Sequence, residues 1–260
     1  MPASGHWQPA AVELPISFGL PGTFESRIDA VLTDTRDPSG PWHLVVECKR
    51  SHPDYKQWIF FDQKDRVTKS EGDGLFIQRA DFTGSWNHQG KVPLTKRIDR
   101  VPAPKDCPVF NFYLETRLNP GRRDQRASAT EAIEQAFRQV GVGVVGLGRV
   151  LHDMNLYHFR FLPLVVTTAD IASATFDAKS VSLSHGKIEA KDLTLEKRPW
   201  VAVNYRIDES VSRFAEMTGG LGRDVSEALM YRYLRTMFVV RAAHLREFLI
   251  WFETHLQKTA

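Results

Sequence analysis

Cysteine is scarce in this chain: among 260 residues only Cys48 and Cys107 carry a thiol. Two cysteines build no disulfide framework, so the fold must rest on an apolar core, and a reducing compartment suits it. Long apolar runs are also missing. None approaches the roughly 20 residues needed to span a bilayer, and the longest candidate, residues 140–147, is short and glycine-rich. The first 15 residues have neither a basic start nor an apolar centre, so no secretory signal is expected there. A soluble, cytoplasmic protein is the expectation. One-sided charge is absent too: 34 Lys and Arg stand against 31 Asp and Glu, a net of +3. Such a mild excess permits a nucleic-acid partner without demanding one. The nine histidines have no paired zinc-ligand spacing and read as surface or core residues. No repeat or low-complexity tract is visible.

What is present is an ordinary globular composition, 42% hydrophobic and 25% charged, in a chain long enough for one large domain or a domain with an appendage. Strands are expected over 11–18, 26–33 and 42–50, joined by short turns into an antiparallel meander. Asp37-Pro38-Ser39-Gly40-Pro41 is the strongest turn signal. Adjacent Val45 and Val46 point to a strand buried on both faces, hence central. Residues 54–61 fit strand or helix, 75–82 fit a strand, and 81–105 reads as loop. Residues 109–117 read as a strand and 119–126 as a basic turn. Ser128-x-x-Glu131 matches a capping box. Ala129, Ile133, Ala136, Phe137 and Val140 then share a helical face, with Glu131, Glu134, Gln135 and Arg138 opposite, so a helix is expected to run past Val140. A buried strand over 157–168 follows, which makes a parallel crossover. A hairpin is expected over 180–195 and a strand over 200–205. Gly219-Gly220-Leu221-Gly222 marks a break. Leu229, Tyr233, Met237, Val240, Leu245, Phe248 and Phe252 recur at helical spacing, which predicts a long helix over 224–257. The class is α/β. The expected domains are a core over 1–168, with an insertion at 51–105, and a C-terminal hairpin and helical extension over 169–260 packed on it.

Three charged residues sit among these apolar runs. Asp29 interrupts Ile28, Ala30, Val31 and Leu32, while Glu47 and Lys49 close Leu44, Val45 and Val46. In a strand, residues two apart share a face, so Glu47 and Lys49 project together and Cys48 points the other way, into the core. A hairpin can set Asp29 beside Glu47. Two adjacent carboxylates repel unless a cation bridges them. Hard oxygen ligands favour Mg²⁺, which keeps several waters and accepts phosphate oxygens. The Cys48 backbone carbonyl is a further candidate ligand. The structural alternative is an exposed Glu47–Lys49 salt bridge with Asp29 capping a turn, but a central strand rarely carries unpartnered charge.

Arg27-Ile28-Asp29-Ala30-Val31 followed by Val45-Val46-Glu47-Cys48-Lys49-Arg50 resembles the PD-(D/E)xK nuclease superfamily. Ile28 stands where the motif has proline. The resemblance implies a restriction-endonuclease-like mixed sheet in which the three-strand meander is followed by a crossover helix and a further strand. It implies that Asp29 and Glu47 bind Mg²⁺, with Mn²⁺ as a substitute, and that Lys49 is the catalytic lysine. The activity implied is endonuclease or exonuclease hydrolysis of nucleic acid, with DNA the expected partner. The family core opens with a helix that often carries a glutamate, and Glu13 is the nearest candidate for that role. Gln57 and Gln63, downstream of Lys49, are candidates to hold phosphate. Arg50, Arg122 and Arg123 are candidates for nucleic-acid contact, beside further basic residues at Lys96, Arg97, Arg100, Arg117 and Arg126. The alternative function is a non-catalytic nucleic-acid-binding or assembly module on the same fold. A literal GxGxxG at residues 141–146 raises a nucleotide-binding oxidoreductase, but it follows a helix, where that motif must follow a strand and open a helix. Small residues that allow close helix packing, or a helix end, explain it better. The aromatic-rich C-terminal helix is a candidate homodimer contact.

Overall fold

The computed structural model describes residues 6–18, 24–36, 40–51, 57–61, 74–82, 94–110, 112–116, 131–153, 159–176, 193–207 and 234–256. The chain opens with the expected meander. β1 (Gln8–Phe18) pairs antiparallel with β2 (Phe24–Asp34), and β2 with β3 (Trp42–Lys49). Proline at Pro9 and Pro15 suits β1 to the edge of the sheet, where no second ladder needs its N–H groups. The crossover follows, with helix α1 (Glu131–Asp153) leading to β9 (Phe159–Thr167), which lies parallel to β3 along its whole length.

Among the described residues the main sheet has nine strands. β13 (Leu234–Arg241) pairs parallel with β9, β12 (Trp200–Arg206) antiparallel with β13, and β7 (Val109–Phe110) parallel with β12. β5 (Gly74–Phe82) pairs with the first residues of β9 and with β6 (Leu94–Pro102). β9 therefore changes partner on one side, from β5 at 159–161 to β13 at 164–167. Pro163, which has no N–H for a ladder, stands at the change. A second sheet of four strands runs in the order β11 (Leu193–Arg198), β10 (Asp170–Phe176), β4 (Gln57–Phe61), β8 (Phe112–Thr116).

Both faces of the main sheet are covered. On one, Ile28, Val31, Val45, Val165, Val203 and Met237 pack with Ile133, Phe137, Val140 and Val144 of α1 and with Trp58 and Phe60 of the small sheet. On the other, Leu44, Val46, Leu164, Phe238 and Val240 pack with Phe248, Leu249, Trp251 and Phe252 of helix α2 (Leu245–His255), preceded by a 3-10 turn at Ala242–His244. Trp7 closes this second layer: it is buried, and its indole N–H donates to Glu253 Oε1 at 2.9 Å.

Several sequence expectations need correction. Within the described residues 234–256, strand β13, a 3-10 turn and the 11-residue α2 stand where one long helix over 224–257 was expected. Met237 and Val240 recur at helical spacing, but Met237 and Val239 face one core layer while Phe238 and Val240 face the other. A strand buried on both faces reads as a continuous apolar run, which periodicity cannot separate from a helix. Within the extension expected over 169–260 to pack on the core, β12 and β13 are strands of the main sheet beside β9. The loop expected over 81–105 contains β6, whose charged sequence suits an outer strand; among the described residues it pairs only with β5. Residues 109–117 divide between the two sheets as β7 and β8, and β10 forms where no element was expected. The hairpin at 180–195 lies outside the described residues apart from the start of β11. The glycine break and the Ser128 cap also lie outside them.

The GxGxxG segment lies inside α1. Gly143 is where the helix touches the sheet. A Cβ there would fall 2.2 Å from Ile28 Cδ1, 2.7 Å from Ile28 Cγ1 and 3.3 Å from Val45 Cγ1. Glycine to alanine inside a helix ordinarily gains about 1 kcal/mol, but Ile28 is fully buried and has no solvent to swing into. Overpacking costs roughly 1–3 kcal/mol, so Gly143→Ala is expected to lose about 1–2 kcal/mol net in urea unfolding. Truncating the partner in Ile28→Ala should cost less in the Gly143→Ala background than in the wild type. Stabilisation by Gly143→Ala alone would mean that α1 lifts freely from the sheet.

Candidate active site

β2 and β3 bring the three charged residues together by ending their pairing. The ladder runs from Asp34↔Trp42 to Ala30↔Val46. One further step would set Asp29 opposite Glu47 as backbone partners. Instead the Asp29 carboxylate takes over, and the Cys48 N–H donates to Asp29 Oδ2 at 2.6 Å. The opposite side of β2 is irregular at the same level. Val12↔Ala30 and Leu14↔Ile28 bracket Glu13 and Asp29, and Glu13 has φ of 50°, left-handed backbone in a non-glycine residue. Ile28 and Val31, three apart, then lie in the same core layer, so strict alternation along β2 is broken around Asp29.

Glu47 is 3% exposed, on a strand paired on both sides. Its Oε1 accepts from Lys49 Nζ at 2.8 Å. Its Oε2 is buried with no hydrogen-bond partner. Burial raises the Glu47 pKa above the ordinary carboxylate range, the Lys49 ammonium opposes this, and the nearby Asp29 charge adds to it. Lys49, about four-fifths buried, has a second partner: Nζ donates to Gln139 Oε1 of α1 at 2.5 Å. Gln139 is tied in turn to β2, where Ser26 Oγ donates to its backbone carbonyl at 3.2 Å.

Asp29, Glu47 and Lys49 are thus brought together, and the other candidates fall in different places. Cys48 is exposed, a correction to its expected place in the core: it comes after Val46, the last β3 residue of the layer beneath α2. The packed chain around its thiol and the charges of Asp29 and Glu47 push its pKa up. Glu13 lies on β1, exposed and ion-paired with Arg27; it is on a strand, so no opening helix carries it. Gln57 opens β4 in the second sheet, in register with Asp170 just beyond β9. Arg50 follows Lys49 and is exposed. Gln63, Arg122 and Arg123 lie outside the described residues. Gln139 and Ser26 are the residues that sequence reasoning missed. The available signal was the place of Gln139 at the margin of the apolar stripe, three residues after Ala136 and one before Val140.

Among the described residues no group of three or more His, Cys, Asp and Glu side chains is arranged to hold a metal ion. Two carboxylates are still a sufficient protein contribution for Mg²⁺, which keeps several waters and takes one or two carboxylates. The buried, unpartnered Glu47 Oε2 beside a second carboxylate fits such an ion. No described helix is long and apolar enough to cross a membrane. Compared with family models, with curated proteins and with solved structures, the chain matches none.

Proposed function

We propose that the chain is a metal-dependent nuclease of the restriction-endonuclease-like kind that hydrolyses phosphodiester bonds, with DNA as the first substrate to test. The observation that carries this reading is the buried, unpartnered Glu47 Oε2 next to Asp29, on adjacent strands that stop pairing at that level. The order of meander, α1 and parallel β9 supports it. Asp29 and Glu47 would hold Mg²⁺ or Mn²⁺, with the Cys48 carbonyl as a further ligand. The bound cation supplies Lewis acidity toward the phosphate and a more acidic water. Lys49 presents its remaining N–H to a phosphate oxygen or to the attacking water. Exposed Arg50, next along the chain, adds positive charge where a backbone phosphate would approach.

The test is cleavage of single- and double-stranded DNA with Mg²⁺ or Mn²⁺ by wild type, Glu47→Ala and Lys49→Ala. Metal-dependent cleavage lost in both variants is expected. Activity unchanged by both substitutions removes the site. DNA binding without cleavage in the wild type would instead indicate a non-catalytic binding module.

A further inference from the structure

We infer that Gln139 is a positioning residue for Lys49, holding the ammonium in place when Glu47 turns to the cation. An ammonium has three N–H donors. In Lys49 one goes to Glu47 Oε1 and a second to Gln139 Oε1. A cation between Asp29 and Glu47 draws on the same carboxylate that now binds Lys49. With Glu47 alone as partner, a four-fifths-buried lysine would be left unfixed once that carboxylate was engaged. The Gln139 amide oxygen is neutral, so a cation competes for it far less than for Glu47. It keeps one Lys49 N–H fixed whether or not Glu47 is shared.

Gln139 is itself held on two sides. The Ser26 hydroxyl of β2 grips its backbone carbonyl. One helical turn further on, Gly143 lets α1 close onto Ile28 and Val45, which precede Asp29 and Glu47 on their strands. A single turn of α1 therefore bridges the two strands that carry the site. Gln135, one turn earlier on α1, is exposed and is in none of these contacts.

The catalytic consequence rests on the nuclease reading, but the placement of Lys49 can be measured without it. The rate at which Lys49 is reductively methylated, followed by mass spectrometry on the folded chain, reports how firmly the amine is held. Gln139→Leu removes the acceptor, Gln139→Glu keeps one, and Gln135→Leu is the control on the same helix. Gln139→Met serves in place of Gln139→Leu if that variant fails to fold. Lys49 is expected to react several-fold faster in Gln139→Leu, no faster than in the wild type in Gln139→Glu, and at close to the wild-type rate in Gln135→Leu. In cleavage, Gln139→Leu is expected to lower kcat about ten-fold with little change in KM, the scale of one hydrogen bond to a charged group. An unchanged Lys49 labelling rate in Gln139→Leu overturns the inference, as does a kcat in Gln139→Leu equal to that of the wild type. If the wild-type protein cleaves nothing, the nuclease reading fails and the labelling rates alone decide the role of Gln139.

Discussion

Asp29→Asn and Glu47→Gln should each lower metal-dependent cleavage by about a thousand-fold, near 4 kcal/mol of transition-state stabilisation, and the double variant should lose little more. Both substitutions keep the side-chain shape. The amide oxygen introduced at position 29 can still accept the Cys48 N–H, and the one introduced at position 47 can still accept from Lys49, so the strand ends stay in place. On the nuclease reading, what disappears is one of two negative charges that would share a single ion. Ligands of one ion act as a unit, and once either fails the second has little left to contribute. The structural alternative, a Glu47–Lys49 salt bridge with Asp29 as a backbone cap, leads elsewhere. Under it the double variant would show independent, additive losses of stability and no metal-dependent term. Single-turnover cleavage rates over a range of Mg²⁺ concentrations separate the two. Recovery of activity at high Mg²⁺ in the single variants would be a further mark of a weakened ion site.

The second large effect concerns acid stability. His43, at the start of β3, is buried against Phe159 and Phe161, with Nδ1 2.9 Å from Thr33 Oγ1. Burial pushes its pKa down from 6.5 to about 4. The folded state therefore keeps the imidazole neutral where the unfolded chain takes up a proton. Stability from this group is fully present above about pH 6.5 and is lost as pH falls toward 4, to the extent of about 3 kcal/mol. Glu47 works in the opposite sense. Its raised pKa gives stability at low pH that declines as pH rises above the ordinary carboxylate range. The comparison that isolates the histidine is wild type against His43→Gln, which retains a polar group for Thr33. Urea unfolding between pH 4 and 7 is expected to show a much shallower acid slope in the variant. Equal slopes would mean that His43 takes up its proton in the folded state at an ordinary pH. His43 lies four residues before Glu47, about 13 Å along the strand, and is no part of the candidate site.

The residues of the candidate site stand out in the sequence because they break a pattern. Asp29 and Glu47 each sit in an apolar run, and Val45-Val46 marks a strand with both faces covered, as β3 is. The crossover was legible for the same reason: the stripe through Ile133, Phe137 and Val140 is helical and faces the core. β13 was hidden because a doubly buried strand has no period, and Met237 and Val240 happen to match a helix. β6 was hidden by Lys96, Arg97 and Asp99, charges that an outer strand tolerates. β10 has small residues, Ala172, Ser173 and Ala174, at its centre, with the β-branched and aromatic residues that announce a strand confined to its ends at Ile171, Thr175 and Phe176. It is fixed by partners far away in sequence, β4 and β11. The position of Gln139 over Lys49 depends on how α1 lies on β2 and β3, which no local pattern encodes. The left-handed backbone at Glu13 is also set by the register of β1 on β2, and a glutamate does not announce it.

The nuclease reading requires that Asp29 and Glu47 share one divalent cation. The direct measurement is Mn²⁺ binding by calorimetry and electron paramagnetic resonance, on the wild type, Asp29→Ala and Glu47→Ala, without nucleic acid. The expected result is a Mn²⁺ site in the wild type that is displaced by Mg²⁺ and lost in either variant. Mn²⁺ binding that is equal in all three proteins, or absent from a folded wild type, would contradict it.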